Sequence, residues 1–249
     1  MATFLYVFPH PDDESFGPGP GIVRQRRAGH EVHLLTFTHG EATSHRHRLG
    51  YGRAEMSRMR YRQLQQVAET LDLTSLTVLE YPDGGLAEQN PLRLEEEVAD
   101  RFHSIRPDVA ITFPDHGITR HSDHLTIHHA VKRVACGLRA EGNNHPRRLA
   151  FITFPPPSGD LAPPDDLQHS PPERIDCVVP VCTSELEQGR KALEHYVTYQ
   201  PDDHRPLKFF ADGIPFEIFG ESHDPPLSSL LESLPRDTAG FLRPESRRQ

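Results

Sequence analysis

The 249-residue chain has no tryptophan and only three cysteines, Cys136, Cys177 and Cys182. Their odd number and the lack of a CxxC pair argue against a zinc-finger scaffold and indicate a reducing compartment. No apolar run approaches the roughly 20 residues that a membrane-spanning helix needs. The first residues, MATFLYVF, lack the basic start of a signal peptide. We therefore expect a soluble, cytoplasmic protein.

The chain also has fewer positively than negatively charged residues. It contains 27 Lys and Arg and 36 Asp and Glu, which gives a net charge of −9. Nucleic-acid binding requires a basic surface, so this balance argues against a nucleic-acid partner. It leaves a small neutral or cationic substrate open. The hydrophobic content of 35% is low, and we expect part of the chain to lie outside the core.

Short apolar runs alternate with amphipathic helical patterns along the chain. The predicted strands cover residues 3–8, 31–37, 76–81 and 108–113, with weaker ones at 148–154 and 174–181. The predicted helices cover a short segment closed by Gly29, then residues 53–73, 91–105, a stretch from near Ser122, and 183–198. Strands separated by helices form βαβ units. The predicted fold is therefore α/β, a Rossmann-like open, mainly parallel sheet flanked by helices.

Two segments are too rich in proline and polar residues to form regular elements. Residues 154–173 read as a long proline-rich loop, and residues 224–249 read as a polar, poorly ordered tail. We see no internal repeat and no second domain. The prediction is a single domain over residues 1–223, followed by the tail.

Polar clusters directly follow the first four predicted strands. They read PHPDDE, THGEAT, PDGGL and PDHGITRHSDH in chain order. The carboxyl ends of parallel strands share one edge of a sheet, and the ligand crevice of an open α/β sheet lies outside that edge. We therefore expect all four clusters to meet at one site.

Two of these clusters contain residue types that bind metals. His10 and Asp13 are three residues apart across a proline-containing turn, and His121 and His124 have the same spacing. Two histidines and a carboxylate leave room for water in the coordination sphere, as in catalytic zinc sites. A nearby carboxylate that does not bind the metal can serve as general base.

Each cluster taken alone has a plainer interpretation. PHPDDE can be a solvated turn, PDGGL a simple Asp-Gly turn, and HSDH a helix start capped by Ser122 or Asp123. The stretch GPGPG is a poor phosphate loop, because Pro18 and Pro20 lack backbone N–H donors. Two histidines and one carboxylate also form the iron site of non-haem oxygenases, which usually have all-β folds.

In combination and in order, these motifs resemble the PIG-L/LmbE-like deacetylases, over about residues 3 to 135. Members of this family are zinc-dependent enzymes that remove acetyl from N-acetylglucosamine-containing substrates. The resemblance implies one Zn²⁺ per chain, with Fe²⁺ or another divalent ion as the alternative, and a small N-acetylated amino sugar as substrate. Self-association is common among helix-rich α/β proteins, so a homo-oligomer is a further expectation.

The resemblance also implies roles for individual residues. The implied metal ligands are His10, Asp13 and His124. Asp12 would be the general base that takes a proton from the attacking water. His121 would polarise or protonate at the tetrahedral stage, and Asp123 would orient it.

Arg60 and Asp83 match family positions that contact the sugar, and Glu41 matches an acidic position. Two positions depart from the family pattern, with Ser122 in place of a proline and Gln63 in place of an acid. These departures leave the substrate open. The alternatives are a deacetylase of another N-acylated small molecule and a metal- and sugar-binding protein without activity.

Overall fold

The computed structural model describes residues 1–155, 167–199 and 209–234, and these residues form one seven-stranded sheet. The strands are β1 (Thr3–Phe8), β2 (Glu31–Thr38), β3 (Ser75–Tyr81), β4 (Val109–Thr112), β5 (Arg148–Ile152), β6 (Cys177–Val179) and β7 (Ile214–Ile218). Their order across the sheet is β3-β2-β1-β4-β5-β7-β6. The first five strands pair in parallel, and β7 runs antiparallel to both of its neighbours. The predicted mainly parallel α/β fold is confirmed.

Helices cover both faces of the sheet. They are α1 (Asp13–Phe16), α2 (Gly19–Arg27), α3 (Arg53–Thr70), α4 (Pro91–Ile105), the short turn α5 (Gly117–Arg120), α6 (Ser122–Ala140) and α7 (Thr183–Glu194). In the described part of the chain, no helix combines the length and the apolarity needed to cross a bilayer.

Strand β1 shows how the sequence builds two apolar layers. Its continuous apolar run is typical of a parallel strand that is buried on both faces. Phe4, Tyr6 and Phe8 pack into a core that includes side chains of α2, α3 and α7. Leu5 and Val7 face the opposite layer, where they join side chains of α4 and α6. Both faces of β1 are therefore buried in apolar cores. Polar side chains that belong to a site can follow it only at its carboxyl end.

The loops after the first four strands are joined at this carboxyl edge. The Thr38 amide donates to the Pro9 carbonyl at 2.9 Å, which ties the loop after β2 to the loop after β1. The Ala42 amide donates to Asp83 Oδ2 at 2.6 Å, which ties it to the loop after β3. The Gly84 amide in turn donates to Asp123 Oδ2, beyond β4. The four predicted polar clusters therefore meet in one place.

The structure differs from the sequence-based prediction toward the C-terminus. Strand β7 was not predicted, because Pro215 interrupts its pattern and proline argues against a strand inside a sheet. Strand β6 is shorter than the predicted 174–181, and α7 ends at Glu194 rather than at residue 198.

The predicted tail begins later than residue 224. Leu230 is buried, and the Leu227 amide and carbonyl bond to the backbone of Asp176 and Val178. Leucines spaced among polar residues pack against the sheet edge, so the folded domain extends to at least residue 234. Residues 235–249 of the predicted tail and residues 156–166 of the predicted proline-rich loop lie outside the described residues.

Arg148 anchors this C-terminal segment. Its side chain is fully buried at the start of β5, and its Nε and Nη2 donate to both carboxylate oxygens of Glu221 at 2.9 and 2.6 Å. Its Nη1 donates to the carbonyls of Leu230 and Glu232 at 2.6 and 3.0 Å. One guanidinium therefore satisfies a carboxylate and two carbonyl groups.

We predict that Arg148→Met lowers the free energy of unfolding by about 3–5 kcal/mol, because it leaves the largely buried Glu221 carboxylate without its guanidinium partner and two carbonyl groups without a donor. Urea denaturation measures this change. The control is Arg93→Met, which breaks an exposed ion pair with Glu96 and should cost less than about 1 kcal/mol. Equal losses for the two variants would show that Arg148 is not an anchor.

Candidate active site

The turn after β1 sends two consecutive aspartates in different directions. Asp12 has a left-handed backbone with φ of 108°, which is uncommon for a residue other than glycine. Its carbonyl accepts hydrogen bonds from the amides of Ser15 and Phe16, which starts α1. Asp13 folds back, and its Oδ2 accepts a hydrogen bond from the His10 amide at 2.9 Å. The two aspartates consequently have different partners.

His10 lies among three carboxylates. Its Nε2 is 3.2 Å from Asp83 Oδ1 and 3.2 Å from Asp123 Oδ2, and its Nδ1 is 3.6 Å from Asp13 Oδ2. Burial lowers the pKa of His10, but the contacts with Asp123, Asp13 and Asp83 outweigh burial and hold its pKa well above the usual value. His10 is therefore the centre of a buried acidic cluster.

His124 has the orientation of a metal ligand. Its Nδ1 donates to the Gly117 carbonyl at 2.8 Å, which is the usual second contact of a metal-binding histidine. Its Nε2 is thereby left as the acceptor nitrogen, 3.5 Å from Asp13 Oδ1. Its ring stacks on Phe113 with centroids 4.1 Å apart. Burial lowers the pKa of His124 to about 4, so the imidazole is neutral at pH 7, as metal binding requires.

Asp13 lies between the other two predicted metal ligands, His10 and His124. Two ligands of a tetrahedral zinc ion lie about 3.4 Å apart, given bonds of about 2.0–2.1 Å. Asp13 presents its two oxygens 3.6 and 3.5 Å from nitrogens of His10 and His124. Among the described residues, two overlapping sets bring one ligand atom each within 4.8 Å of one another, namely His10, His121 and His124, and His10, Asp83 and Asp123. Asp13 belongs to neither set.

Asp12 is held from the side opposite this cluster. The Nη2 of Arg60 donates to Asp12 Oδ2 and to the Pro11 carbonyl, and the Tyr199 hydroxyl donates to the same Asp12 oxygen. Burial raises the pKa of Asp12, and the Arg60 charge opposes that effect without cancelling it. Arg60 is itself only 2% exposed, and its guanidinium lies over the ring of Tyr196. The side chain of Arg60 is thus buried beneath Asp12, and its predicted contact with a sugar stays a prediction.

Asp83 is engaged through both carboxylate oxygens. Its Oδ1 faces His10, its Oδ2 accepts from the Ala42 amide at 2.6 Å, and its own amide donates to Glu41 Oε1 at 2.9 Å. These contacts assign Asp83 to the placement of His10 and Glu41 to the placement of Asp83. The sugar contact of Asp83 stays a prediction.

Asp123 orients His10 rather than His121. Its carboxylate accepts from the amides of Gly84 and Leu86 at 2.8 and 3.1 Å and contacts His10 Nε2. The Asp123 backbone amide, not its carboxylate, donates to His121 Nδ1 at 3.1 Å. The expected orientation of His121 by the Asp123 carboxylate is wrong, because His121 itself caps α6 and the Asp123 side chain turns into the core. His121 remains exposed at the rim of the site.

Two residues of the site were not identified from the sequence. Glu14 is fully buried and accepts hydrogen bonds from the Asp12 amide at 3.0 Å and from the Tyr196 hydroxyl at 2.9 Å. Burial raises its pKa to about 7. Tyr199 contacts Asp12, although the two residues are 187 positions apart in the sequence. None of the four polar clusters in the sequence pointed to Tyr199, which follows α7.

A family model described as PIG-L, GlcNAc-PI de-N-acetylase, matches residues 5–135, which is more than half of the chain. The chain belongs to the PIG-L family. The match contains the turn after β1, the loops after β2 and β3, and the start of α6. It does not contain Tyr196 or Tyr199, which come from the region after α7.

Among curated relatives of this PIG-L chain, the 1D-myo-inositol 2-acetamido-2-deoxy-alpha-D-glucopyranoside deacetylase of Kineococcus radiotolerans is 26% identical over 185 residues. That alignment covers 59% of this chain and 50% of the relative. The chain spans about half the length of the curated relatives it matches.

Solved structures share the fold at low identity. The N,N'-diacetylchitobiose deacetylase of Pyrococcus horikoshii has a TM-score of 0.65 at 18% identity, with 87% of this chain and 83% of that chain covered. The 4-carboxy-2-hydroxymuconate hydratase of Pseudomonas putida has a TM-score of 0.68 at 16% identity, with 88% and 95% covered. Because a hydratase shares this fold, the fold alone does not select the reaction.

We predict that Arg60→Met in this PIG-L chain lowers the free energy of unfolding by about 3 kcal/mol, because it leaves the buried Asp12 carboxylate without its cation. The double variant Arg60→Met/Asp12→Asn should lose less than the sum of the two single variants. Urea denaturation with excess chelator measures all three. Strict additivity would contradict the Arg60–Asp12 pairing, and Arg60→Lys is the control that keeps the charge.

Proposed function

We propose that the chain is a metal-dependent N-deacetylase of an N-acetylglucosamine-containing small molecule, or of a related N-acetylated amino sugar. The reaction hydrolyses the acetamide and releases acetate and a free amine. One observation carries the proposal, which is that the Asp13 carboxylate lies between His10 and His124, 3.6 Å from His10 Nδ1 and 3.5 Å from His124 Nε2, while Asp12 is a separate buried carboxylate next to it in the sequence. The PIG-L family match and the deacetylase relatives support it.

We assign Zn²⁺ as the metal, one per chain, with Fe²⁺ or another divalent ion as the alternative. Two imidazole nitrogens and a carboxylate with an open coordination position are the donor set of catalytic zinc sites. When bound there, a divalent cation polarises the amide carbonyl and makes an attacking water more acidic. His10, Asp13 and His124 would hold it.

Asp12 is assigned as the general base. Its donors among the described residues, Arg60 and Tyr199, both act on Oδ2, which leaves Oδ1 to accept a proton from the attacking water. The left-handed backbone at Asp12 separates its carboxylate from that of Asp13, so base and ligand are adjacent in sequence without sharing partners. A fixed base close to the reacting carbonyl is typically worth about 10²–10⁴-fold in rate.

His121 is assigned as the group that polarises the tetrahedral intermediate, as a hydrogen-bond donor. Because its Nδ1 accepts the Asp123 amide, the neutral imidazole carries its proton on Nε2. This N–H can donate a hydrogen bond to the developing oxyanion, and the proton that Asp12 takes from the attacking water then passes to the leaving amine. The backbone bond at the start of α6 supplies the orientation that was expected from the Asp123 carboxylate.

A cytoplasmic location is also part of the proposal. Cys136, Cys177 and Cys182 are all free thiols, which supports a reducing compartment. The net charge of −9 supports a small molecule, rather than nucleic acid, as the partner.

We predict that Asp13→Ala and His124→Ala lose bound metal, because each removes one of three ligands. Asp12→Asn should retain metal and lose about 10²-fold or more in acetate release, because it removes only the base. Mass spectrometry of metal content and an acetate assay measure the two properties. If Asp12→Asn lost metal as completely as Asp13→Ala, the division between base and ligand would be wrong.

The proposal as a whole is tested by metal analysis of the purified protein and by acetate release from a panel of N-acetylglucosaminides. About one Zn²⁺ per chain with acetate release, both abolished by chelation, is the expected result. Metal binding without acetate release from any N-acetylated amine in the panel would contradict the deacetylase assignment. Absence of bound metal would mean that PHPDDE is a structural turn and not a metal-binding motif.

A further inference from the structure

The turn α5 has a strained backbone. Gly117, Ile118 and Arg120 have positive φ values of 63°, 61° and 56°. Ile118 is the exceptional one, because a β-branched residue rarely adopts positive φ, and its ψ of −57° places it near the strained form of the γ-turn. Such a backbone persists only where its surroundings hold it, and it is common at functional sites.

The strained residue Ile118 directly follows Gly117, whose carbonyl group contacts His124 of the site. The Gly117 carbonyl accepts the Nδ1–H of His124, and the rotations about the bonds of Gly117 and Ile118 set the direction of that carbonyl. Gly117 also has no room for a side chain, since an added Cβ would come within 3.1 Å of His124 Cβ. The orientation of the His124 ring therefore depends on the conformation of α5.

Hydrogen bonds from two segments hold Ile118 in place. His116 Nδ1 accepts the Ile118 amide at 3.1 Å, and the Gln168 amide donates to the Ile118 carbonyl at 2.6 Å. The Gln168 side chain also accepts from Arg120 Nη2 at 2.8 Å. Both backbone groups of the strained residue are thus fixed, one by its own turn and one by the segment that follows β5.

Ser170 connects His116 to the sheet. Because His116 Nδ1 is an acceptor, its Nε2 carries the proton and donates to Ser170 Oγ at 3.3 Å. Ser170 is fully buried, its Oγ donates to Glu217, and its amide donates to Thr153 Oγ1 at 3.0 Å. The protonated Nε2 also means that His116 is not a base for Ser170. This serine–histidine pair is therefore a structural link and not a nucleophile.

We propose that His116, Gln168 and Ser170 are positioning residues for His124. They hold α5 in its strained conformation and thereby direct the Gly117 carbonyl, which sets the ring orientation and donor strength of His124. The inference rests on the proposed function, because it treats His124 as a metal ligand. It adds residues that the family match does not contain, since Gln168 and Ser170 lie beyond residue 135.

The test compares His116→Ala with His116→Asn. Alanine removes the acceptor for the Ile118 amide, whereas asparagine can restore it through a side-chain bond to the amide two residues ahead. Zn²⁺ affinity is measured by competition with a chromophoric chelator, and the visible absorption spectrum of the Co²⁺-substituted protein reports ligand geometry. We expect His116→Ala to weaken Zn²⁺ binding about 10–100-fold and to alter the Co²⁺ spectrum. We expect His116→Asn to recover part of the lost affinity, because it restores the bond to the Ile118 amide but not the bond to Ser170.

Asn143→Ala is the matched control. Asn143 Oδ1 accepts the His145 amide at 2.9 Å, which is the same type of local bond in the loop before β5. Its loss should leave Zn²⁺ affinity and the Co²⁺ spectrum unchanged. Should His116→Ala not fold, Ser170→Ala takes its place, with an expected weakening of the same sign and unfolding followed in excess chelator.

Unchanged Zn²⁺ affinity and Co²⁺ spectrum in His116→Ala, or in Ser170→Ala where it replaces that variant, would overturn the inference. So would a His116→Asn variant as weak as His116→Ala, or an equal effect of Asn143→Ala. Failure of the wild-type protein to bind Zn²⁺ or Co²⁺ would instead overturn the proposed function. The two failures are therefore distinguishable.

Discussion

The structure depends on how it compensates buried negative charge at the carboxyl end of β1. Besides the fully buried Glu14, four carboxylates with at most 9% exposure converge there, on Asp12, Asp13, Asp83 and Asp123. Buried charges are strongly unfavourable unless they are paired and hydrogen-bonded. Arg60 compensates Asp12, and backbone amides stabilise Asp83 and Asp123. Asp13 relies on two imidazoles and the His10 amide, and is therefore the carboxylate with most to gain from a bound cation.

The parallel sheet makes this concentration of charge geometrically available. Strands β1 to β4 run in parallel, so each delivers its polar loop to the same edge, and backbone amides of one loop bond the carboxylates of the next. The antiparallel addition of β7 and β6 contributes differently. It places Glu217 within hydrogen-bond distance of Ser170, and Ser170 in turn contacts the turn that holds His124.

The contacts of individual side chains were harder to predict from the sequence than the positions of the strands and helices. The strands β1 to β4 follow from apolar runs with polar ends, and the meeting of four clusters follows from parallel topology. The family pattern assigns Arg60 to the sugar, but a position in a pattern does not reveal how deeply a side chain is buried. In the structure its side chain is buried beneath Asp12, over the ring of Tyr196. Strand β7 was missed because Pro215 breaks the local pattern and pairing with β5 and β6 compensates for it.

The sequence by itself determined the α/β class, the sheet edge that carries the site, and the residue types that can bind a metal there. These properties are local, because they depend on runs, spacings and the direction of successive strands. Only the tertiary structure decided what each carboxylate does. Tyr199 contacts Asp12, which is 187 positions away in the sequence, and Asp123 contacts His10, which is 113 positions away. Such contacts depend on how distant segments pack, and no spacing along the chain encodes them.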